Sequence, residues 1–254
     1  MAQTLEGTVA LVTGASSGIG EATARALAAQ GAAVALVARR KERLEALAQE
    51  IAAAGGRALV IEADITERDQ ARGSVAETVQ ELGRLDTVVN NAGVMLLGPA
   101  EHAPMDEWER MVSLNVQGFL YVAHAALPDL LKAAEGGPRR VADLIGISSV
   151  AGRVARNGSG VYNLTKFGVT AFSESLRQEF SRRHLRVSVV EPGAVETELA
   201  DHLRPEVRGA MMQRFADMER LKAEDIADAV AYIVTRPRHM AVNEILIRPT
   251  EQEG

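Results

Sequence analysis

Short apolar runs recur along this chain, each followed by a longer amphipathic stretch, and that alternation constrains the fold more than any single motif. The runs are Val9-Ala10-Leu11-Val12, Ala33-Val34-Ala35-Leu36-Val37, Ala58-Leu59-Val60-Ile61, Leu85-Asp86-Thr87-Val88-Val89, 141–147, Val187-Ser188-Val189-Val190 and Glu244-Ile245-Leu246-Ile247. The early runs are apolar on both faces, as strands covered by helices on each side should be. Between them the pattern predicts helices over 21–30, 41–54 and 66–82, and later over 108–131 and 160–182. Strand and helix alternating at this spacing require parallel strands joined by right-handed crossovers. The expected architecture is therefore α/β, a doubly wound sheet in a single domain over 1–254. Asp143 interrupts the fifth run, and its partner is not legible in the sequence. Gly136-Gly137-Pro138 is a helix stop rather than a boundary. One stretch breaks the rhythm: 198–220, long, polar and containing methionine, sits where insertions form lids over a sheet edge. A surface helix pair without a gating role is the plainer alternative.

Composition removes several classes. A net charge of −6 argues against a general nucleic-acid binder, and the absence of cysteine removes disulfides, thiolate metal sites and a cysteine nucleophile. Five scattered histidines have no ligand spacing, so no metal is expected. No apolar run approaches the roughly 18 residues of a spanning helix. The first twelve residues lack the basic flank and cleavage pattern of a signal peptide. A cytoplasmic protein without membrane or nucleic-acid partners is expected.

Directly after the first run comes Thr13-Gly14-Ala15-Ser16-Ser17-Gly18-Ile19-Gly20. Its glycines let the backbone turn tightly and approach an anion, and a helix starting near Ile19 aims its N–H groups at that anion. The spacing Gly-x-x-x-Gly-x-Gly differs from the dinucleotide fingerprint but serves the same physical purpose. Three glycines in a plain tight turn are the competing reading. The second run ends in Ala38-Arg39-Arg40-Lys41, where an NAD site needs an acid for the ribose 2′-hydroxyl. A guanidinium there pairs instead with a 2′-phosphate, and a charge-assisted bond of ~1.5–3 kcal/mol gives roughly 10- to 150-fold preference. A solvated basic helix start is the alternative, although basic residues at that end oppose the helix dipole. The expected cofactor is NADPH/NADP, held by Arg39 and Arg40 with help from Ser16.

Tyr162 and Lys166 stand four positions apart, on one face of the helix expected over 160–182. The core stripe of that helix reads Val161, Leu164, Gly168, Phe172, Leu176 and Phe180, with Tyr162 and Lys166 on the row beside it. A lone tyrosine, with a reference pKa near ~10, is a poor proton donor at neutral pH, and a fixed cation beside it makes it a better acid. Ser149 ends the fifth run at the edge where open α/β sheets bind ligands, with Ser148 a rival hydroxyl.

These motifs, in this order over nearly the whole chain, resemble the short-chain dehydrogenase/reductase family. Thr13-Gly14-Ala15-Ser16-Ser17-Gly18-Ile19-Gly20 is similar to its cofactor loop, Asn90-Asn91-Ala92-Gly93 to its motif after the fourth strand, and Pro192-Gly193-Ala194-Val195-Glu196-Thr197 to its nicotinamide-side segment. The resemblance implies a single seven-stranded parallel Rossmann sheet, often assembled as a homotetramer or homodimer. It implies a catalytic set of Asn115, Ser149, Tyr162 and Lys166, with Ser149 rather than Ser148 selected by family spacing. Asn115 would hold a water behind the lysine as a proton relay, unless it is a turn asparagine. Cofactor contacts are implied at Gly14, Ser16, Ser17, Gly18, Ile19, Gly20, Arg39, Arg40, Asp64, Ile65, Asn91, Ala92, Gly93, Tyr162, Lys166, Pro192, Gly193, Val195 and Thr197. Among these Asp64 reaches the adenine, Val195 and Thr197 hold the carboxamide, and Lys166 binds the nicotinamide ribose. One departure stands out: some NADP-dependent members carry a basic residue where this chain has Ser17.

The expected activity is carbonyl reduction, or alcohol oxidation, on a small molecule. Specificity should come from Met95-Leu96-Leu97-Gly98, from 150–157 and from the insertion, with Arg153 and Arg156 either pairing with a substrate carboxylate or facing water. Val94-Met95-Leu96-Leu97-Gly98-Pro99 and Ile247-Arg248-Pro249-Thr250 resemble strings of clavulanic acid dehydrogenase and, in style, of the NADP-dependent 3-hydroxy acid (serine-type) dehydrogenases. A β-oxoacyl reductase and a non-catalytic dinucleotide-binding regulator are the rivals.

Overall fold

The computed structural model describes residues 4–214 and 217–253. Parts of two segments read above, the first twelve residues and the insertion over 198–220, fall at positions 1–3 and 215–216, outside the described residues. Seven strands form one parallel sheet in the order β3-β2-β1-β4-β5-β6-β7. They are β1 (Val9–Thr13), β2 (Ala33–Ala38), β3 (Arg57–Glu62), β4 (Thr87–Asn90), β5 (Ala142–Ile147), β6 (Leu185–Pro192) and β7 (Glu244–Ile247). The helices are α1 (Gly18–Ala29), α2 (Lys41–Ala53), α3 (Arg68–Leu82), α4 (Met105–Val112), α5 (Phe119–Gly136), α6 (Gly160–Phe180), α7 (Pro205–Arg214) and α8 (Ala223–Val234).

Adjacent strand residues point to opposite faces, so each central strand feeds two cores. Leu11, Val88 and Leu144 pack with Val75 of α3 and with Val122 and Leu130 of α5. Their neighbours Val12, Val89 and Ile145 pack on the other side with Leu27 of α1 and with Ile226 and Val230 of α8. The chain runs outward from β1 to β3 and then returns to β4 on the other side of β1. That reversal opens a crevice at the carboxyl ends of the strands, the place where such sheets bind ligands.

The opposite edge of the sheet holds one set of buried charges. Asp143, fully buried, accepts from Arg186 Nε at 2.6 Å and Nη2 at 3.0 Å, and from Arg139 Nη1 at 3.0 Å. Asp86 likewise accepts from Arg84 at 2.7 Å and from the Val9 N–H at 2.9 Å. Both acids tie neighbouring elements together far from the crevice.

Two sequence expectations need correction. The helix expected over 108–131 is divided: a six-residue π-helical stretch, Ser113–Gly118, joins α4 to α5. On α6 the buried face carries Tyr162, Thr165, Lys166, Val169, Ser173 and Leu176, while Leu164 is 66% exposed and Gly168 also faces out. The apolar stripe was phased one row away because Tyr162 and Lys166 are polar. The crevice satisfies their polar atoms, so that row turns inward and leaves Leu164 and Phe167 outside.

The insertion begins with a 3₁₀ turn, Glu198–His202, and continues into α7. It returns at Leu221, whose N–H donates to Ala194 O at 3.0 Å and whose carbonyl accepts from Glu196 N at 2.8 Å. Among the described residues no helix is long and apolar enough to cross a membrane. Nor does any group of acidic and histidine side chains among them have metal-holding geometry.

Candidate active site

The glycine loop is shaped by close approach of main chains. Gly14 has φ +66°, and a side chain at Gly20 would bring its Cβ to 2.3 Å from Gly14 O, so the first turn of α1 lies directly on the end of β1. Asn91, just past the end of β4, fixes this arrangement, donating from Nδ2 to Thr13 O at 2.9 Å. Thr13 Oγ1 in turn accepts from the N–H groups of Asn91 and Ala92, each at 3.0 Å. Ser17 stands at the N-cap of α1 but makes no capping bond, so no side chain answers the first N–H groups of that helix. Such a helix start suits a diphosphate.

At the end of β2 a cationic corner adjoins the loop. Arg40 donates from Nε to Ser16 Oγ at 3.1 Å and from Nη2 to Ser17 Oγ at 2.6 Å. Its Nη1 reaches Glu198 Oε2 at 2.8 Å, and Arg43 Nη1 reaches the other oxygen of Glu198 at 2.6 Å. Arg39 lies 3.6 Å from Asp64. Guanidinium groups and hydroxyls beside a helix start form a donor set that fits a dinucleotide with a 2′-phosphate.

At the far end of the crevice lie the hydroxyls. Ser149 Oγ accepts from Ala151 N at 3.1 Å, donates to Pro192 O at 3.5 Å, and lies close enough to the Tyr162 phenol to draw its pKa downward. Ser148 points elsewhere: its Oγ donates to Lys166 O at 3.2 Å and meets Thr170 Oγ1 at 3.0 Å. Lys166 is 6% exposed, donates from Nζ to Ile147 O at 2.8 Å, and lies 5.9 Å from the Tyr162 ring centre. Burial pushes the phenol up to about 12, against the smaller downward pull of Ser149. Burial also pulls the ammonium down to about 8. The sequence suggested that the lysine makes the tyrosine more acidic; here desolvation dominates, and the phenol keeps its proton throughout the neutral range.

Most of the residues singled out from the sequence line this one crevice, from Gly14, Ser16 and Ser17 through Asp64, Ile65 and Asn91 to Tyr162, Lys166, Pro192, Val195 and Thr197. Gly20 and Asn115 do not line it; they stand behind its wall. Both N–H groups of the Asn115 amide are committed, to Val94 O at 2.8 Å and Thr165 Oγ1 at 3.2 Å, while its Oδ1 accepts from Val94 N at 2.8 Å. Arg153 faces neither substrate nor water alone. Its Nε bonds both oxygens of fully buried Glu191 at 2.8 Å, and it also reaches Glu244. Sequence reasoning missed Arg110, Glu198 and His202, which also line the crevice. No motif marks them, and only the fold of the insertion brings 198–202 to the cofactor loop.

The short chain dehydrogenase family model matches residues 8–208. A glycine betaine reductase of Emericella nidulans is 39% identical over 98% of this chain, which spans only about 19% of that larger protein. Among solved structures, a closed serine dehydrogenase complexed with NADP+ superposes with a TM-score of 0.88 at 32% identity, covering 97% of both chains. A 3-ketoacyl-(acyl-carrier-protein) reductase from Brucella melitensis complexed with NADH gives 0.84 at 31% identity, covering 96% of this chain and 97% of that one. The chain belongs to the short-chain dehydrogenase/reductase family. It is an oxidoreductase of the class that interconverts CH–OH and C=O groups on small molecules.

Proposed function

We propose that this protein is an NADPH-dependent carbonyl reductase that works in the cytoplasm and also runs in the alcohol-oxidising direction. The observation that carries this reading is the convergence of Ser149 and Lys166 on a buried Tyr162 at one end of the crevice, with Arg40 among Ser16 and Ser17 at the other.

When bound, the nicotinamide supplies or accepts the hydride. Ser149 donates a hydrogen bond to the substrate oxygen and fixes its position. Tyr162, kept protonated by burial, delivers its proton to that oxygen in reduction and takes it back in oxidation. Positioned transfer of this kind typically contributes ~10²–10⁴-fold in rate. Lys166 remains largely charged at neutral pH despite its lowered pKa, and stabilises the tyrosinate left behind. Asn115 holds Val94 and Thr165 in place, and the second lone pair of its Oδ1 is left to receive a relay water. Arg40, with Arg39 beside it, selects the 2′-phosphate.

The crevice is lined in part by the apolar side chains of Val94, Leu114 and Leu199, which favours a substrate with an apolar body. An NADP-dependent 3-hydroxy acid dehydrogenase is the second reading, favoured by the likeness to the serine dehydrogenase. It must recognise its carboxylate without Arg153, which Glu191 holds. The outward apolar row of Leu164 and Phe167 on α6 supports a homotetramer or homodimer, which light scattering at micromolar concentration tests.

The functional test is NADPH oxidation against β-keto acids, bulky aldehydes and cyclic ketones, repeated with Tyr162→Phe. The variant should lose at least 10²-fold in turnover while still binding NADPH. Turnover within tenfold of the parent would remove Tyr162 as the acid.

A further inference from the structure

Glu198 occupies the cationic corner with a negative charge of its own. Its two carboxylate oxygens are divided between Arg40 at 2.8 Å and Arg43 at 2.6 Å, and these two bonds hold its pKa down at about 2. Every nitrogen of the Arg40 guanidinium is thereby engaged: Nε by Ser16, Nη2 by Ser17 and Nη1 by Glu198. Glu198 comes from the first turn of the insertion, which Thr197 caps by accepting from Leu199 N at 3.4 Å. Thr197 itself leans on the glycine loop, where a side chain at Gly18 would meet its Cγ2 at 3.1 Å.

Resting on the reading of Arg40 as the 2′-phosphate clamp, we propose that Glu198 is a specificity-determining residue whose carboxylate competes with that phosphate for Arg40. A 2′-phosphate approaching Arg40 meets a like charge already bonded to the same guanidinium. It binds only as the Glu198 side chain swings away, and the Arg40–Glu198 pair is exchanged for Arg40–phosphate. NAD+ and NADH lack this phosphate and leave the pair intact. Glu198 therefore narrows the preference that the arginines alone would give, and it does so without touching the reacting atoms.

The exchange predicts opposite behaviour for the two dinucleotides. Arg40, Arg43 and Glu198 are all about half exposed, and each such ion pair is worth a factor of about 1.4 to 5. Swinging the carboxylate away breaks both pairs, so Glu198→Gln should tighten NADP+ binding roughly 2- to 25-fold while changing NAD+ by less than about twofold. Both constants can be measured by calorimetric titration of the free protein, with no turnover involved. Unchanged or weakened NADP+ binding overturns the proposal, as does a selective loss of NAD+, which would make Glu198 a ribose ligand. Arg40→Ala, measured alongside, separates the two layers. If it loses NADP+ discrimination while Glu198→Gln leaves NADP+ affinity unchanged, the competition is refuted and the clamp survives. If it keeps full discrimination, both are refuted.

Discussion

Lys166→Met tests whether the buried ammonium is held at the expense of stability. Lys166 is 6% exposed and titrates at about 8 in the folded protein, against 10.5 for the model side chain. Folding therefore favours its neutral form. The full penalty applies below the folded pKa, and it fades as pH rises toward the unfolded value, because there the unfolded chain binds a proton that the native state does not. Linkage between those two values puts the penalty at ~3 kcal/mol at pH 6 and ~1 kcal/mol at pH 9.5, a difference of ~2 kcal/mol. Methionine fills similar volume and does not titrate. It leaves Ile147 O without its donor, a cost of ~1–3 kcal/mol that does not vary with pH. The stability of Lys166→Met relative to the parent should thus fall by ~2 kcal/mol between pH 6 and pH 9.5. Urea unfolding at matched ionic strength measures it, and Tyr162, titrating at about 12, does not intrude in this window. A difference that stays flat across those pH values would show that Lys166 is not penalised as its burial implies, and the account of its charge would fail.

Further outcomes follow from the same geometry. Because kcat/KM reports ionisations of the free enzyme, carbonyl reduction should decline above pH 8, where Lys166 loses its proton; a profile flat to pH 9.5 would exclude it as an essential cation. Arg186→Met should destabilise by ~3–5 kcal/mol, since Asp143 keeps only Arg139 in a buried setting, and adding Asp143→Leu should restore much of the loss in chemical denaturation. Gly20→Ala should fold, as circular dichroism can verify, yet bind NADPH at least tenfold more weakly, because its Cβ would lie 2.3 Å from Gly14 O and must displace the loop; unaltered affinity would contradict the assigned role of that turn.

The strands were readable because their cause is local. Runs such as Val34-Ala35-Leu36-Val37 are apolar on both faces, and only a covered parallel sheet accommodates them. β7 falls where the pattern placed it, over Glu244–Ile247. The helix phase was less readable. On α6, apolar periodicity chose Leu164 and Gly168, but the buried row contains Tyr162 and Lys166. Periodicity records where apolar groups lie and does not record which polar groups a crevice will satisfy. The six-residue π-helical stretch at Ser113–Gly118 also left no sign in the pattern.

The candidate site divides along the same line. Glycines 14, 18 and 20, the Tyr162–Lys166 pair and the arginines after β2 are each legible because their chemistry is set by neighbours a few residues away. Pairings across the fold were not legible: Asp143 with Arg186, Arg153 with Glu191, and Arg40 with Glu198, 158 positions further on. Each is formed when strands stack side by side and the insertion folds back over their ends, which is a property of the crossovers and not of any segment. Local steric and hydrophobic rules thus suffice to write the sheet and its motifs into the chain. Which charge neutralises which, and which face of a helix is desolvated, depends on distances that exist only after the chain has closed.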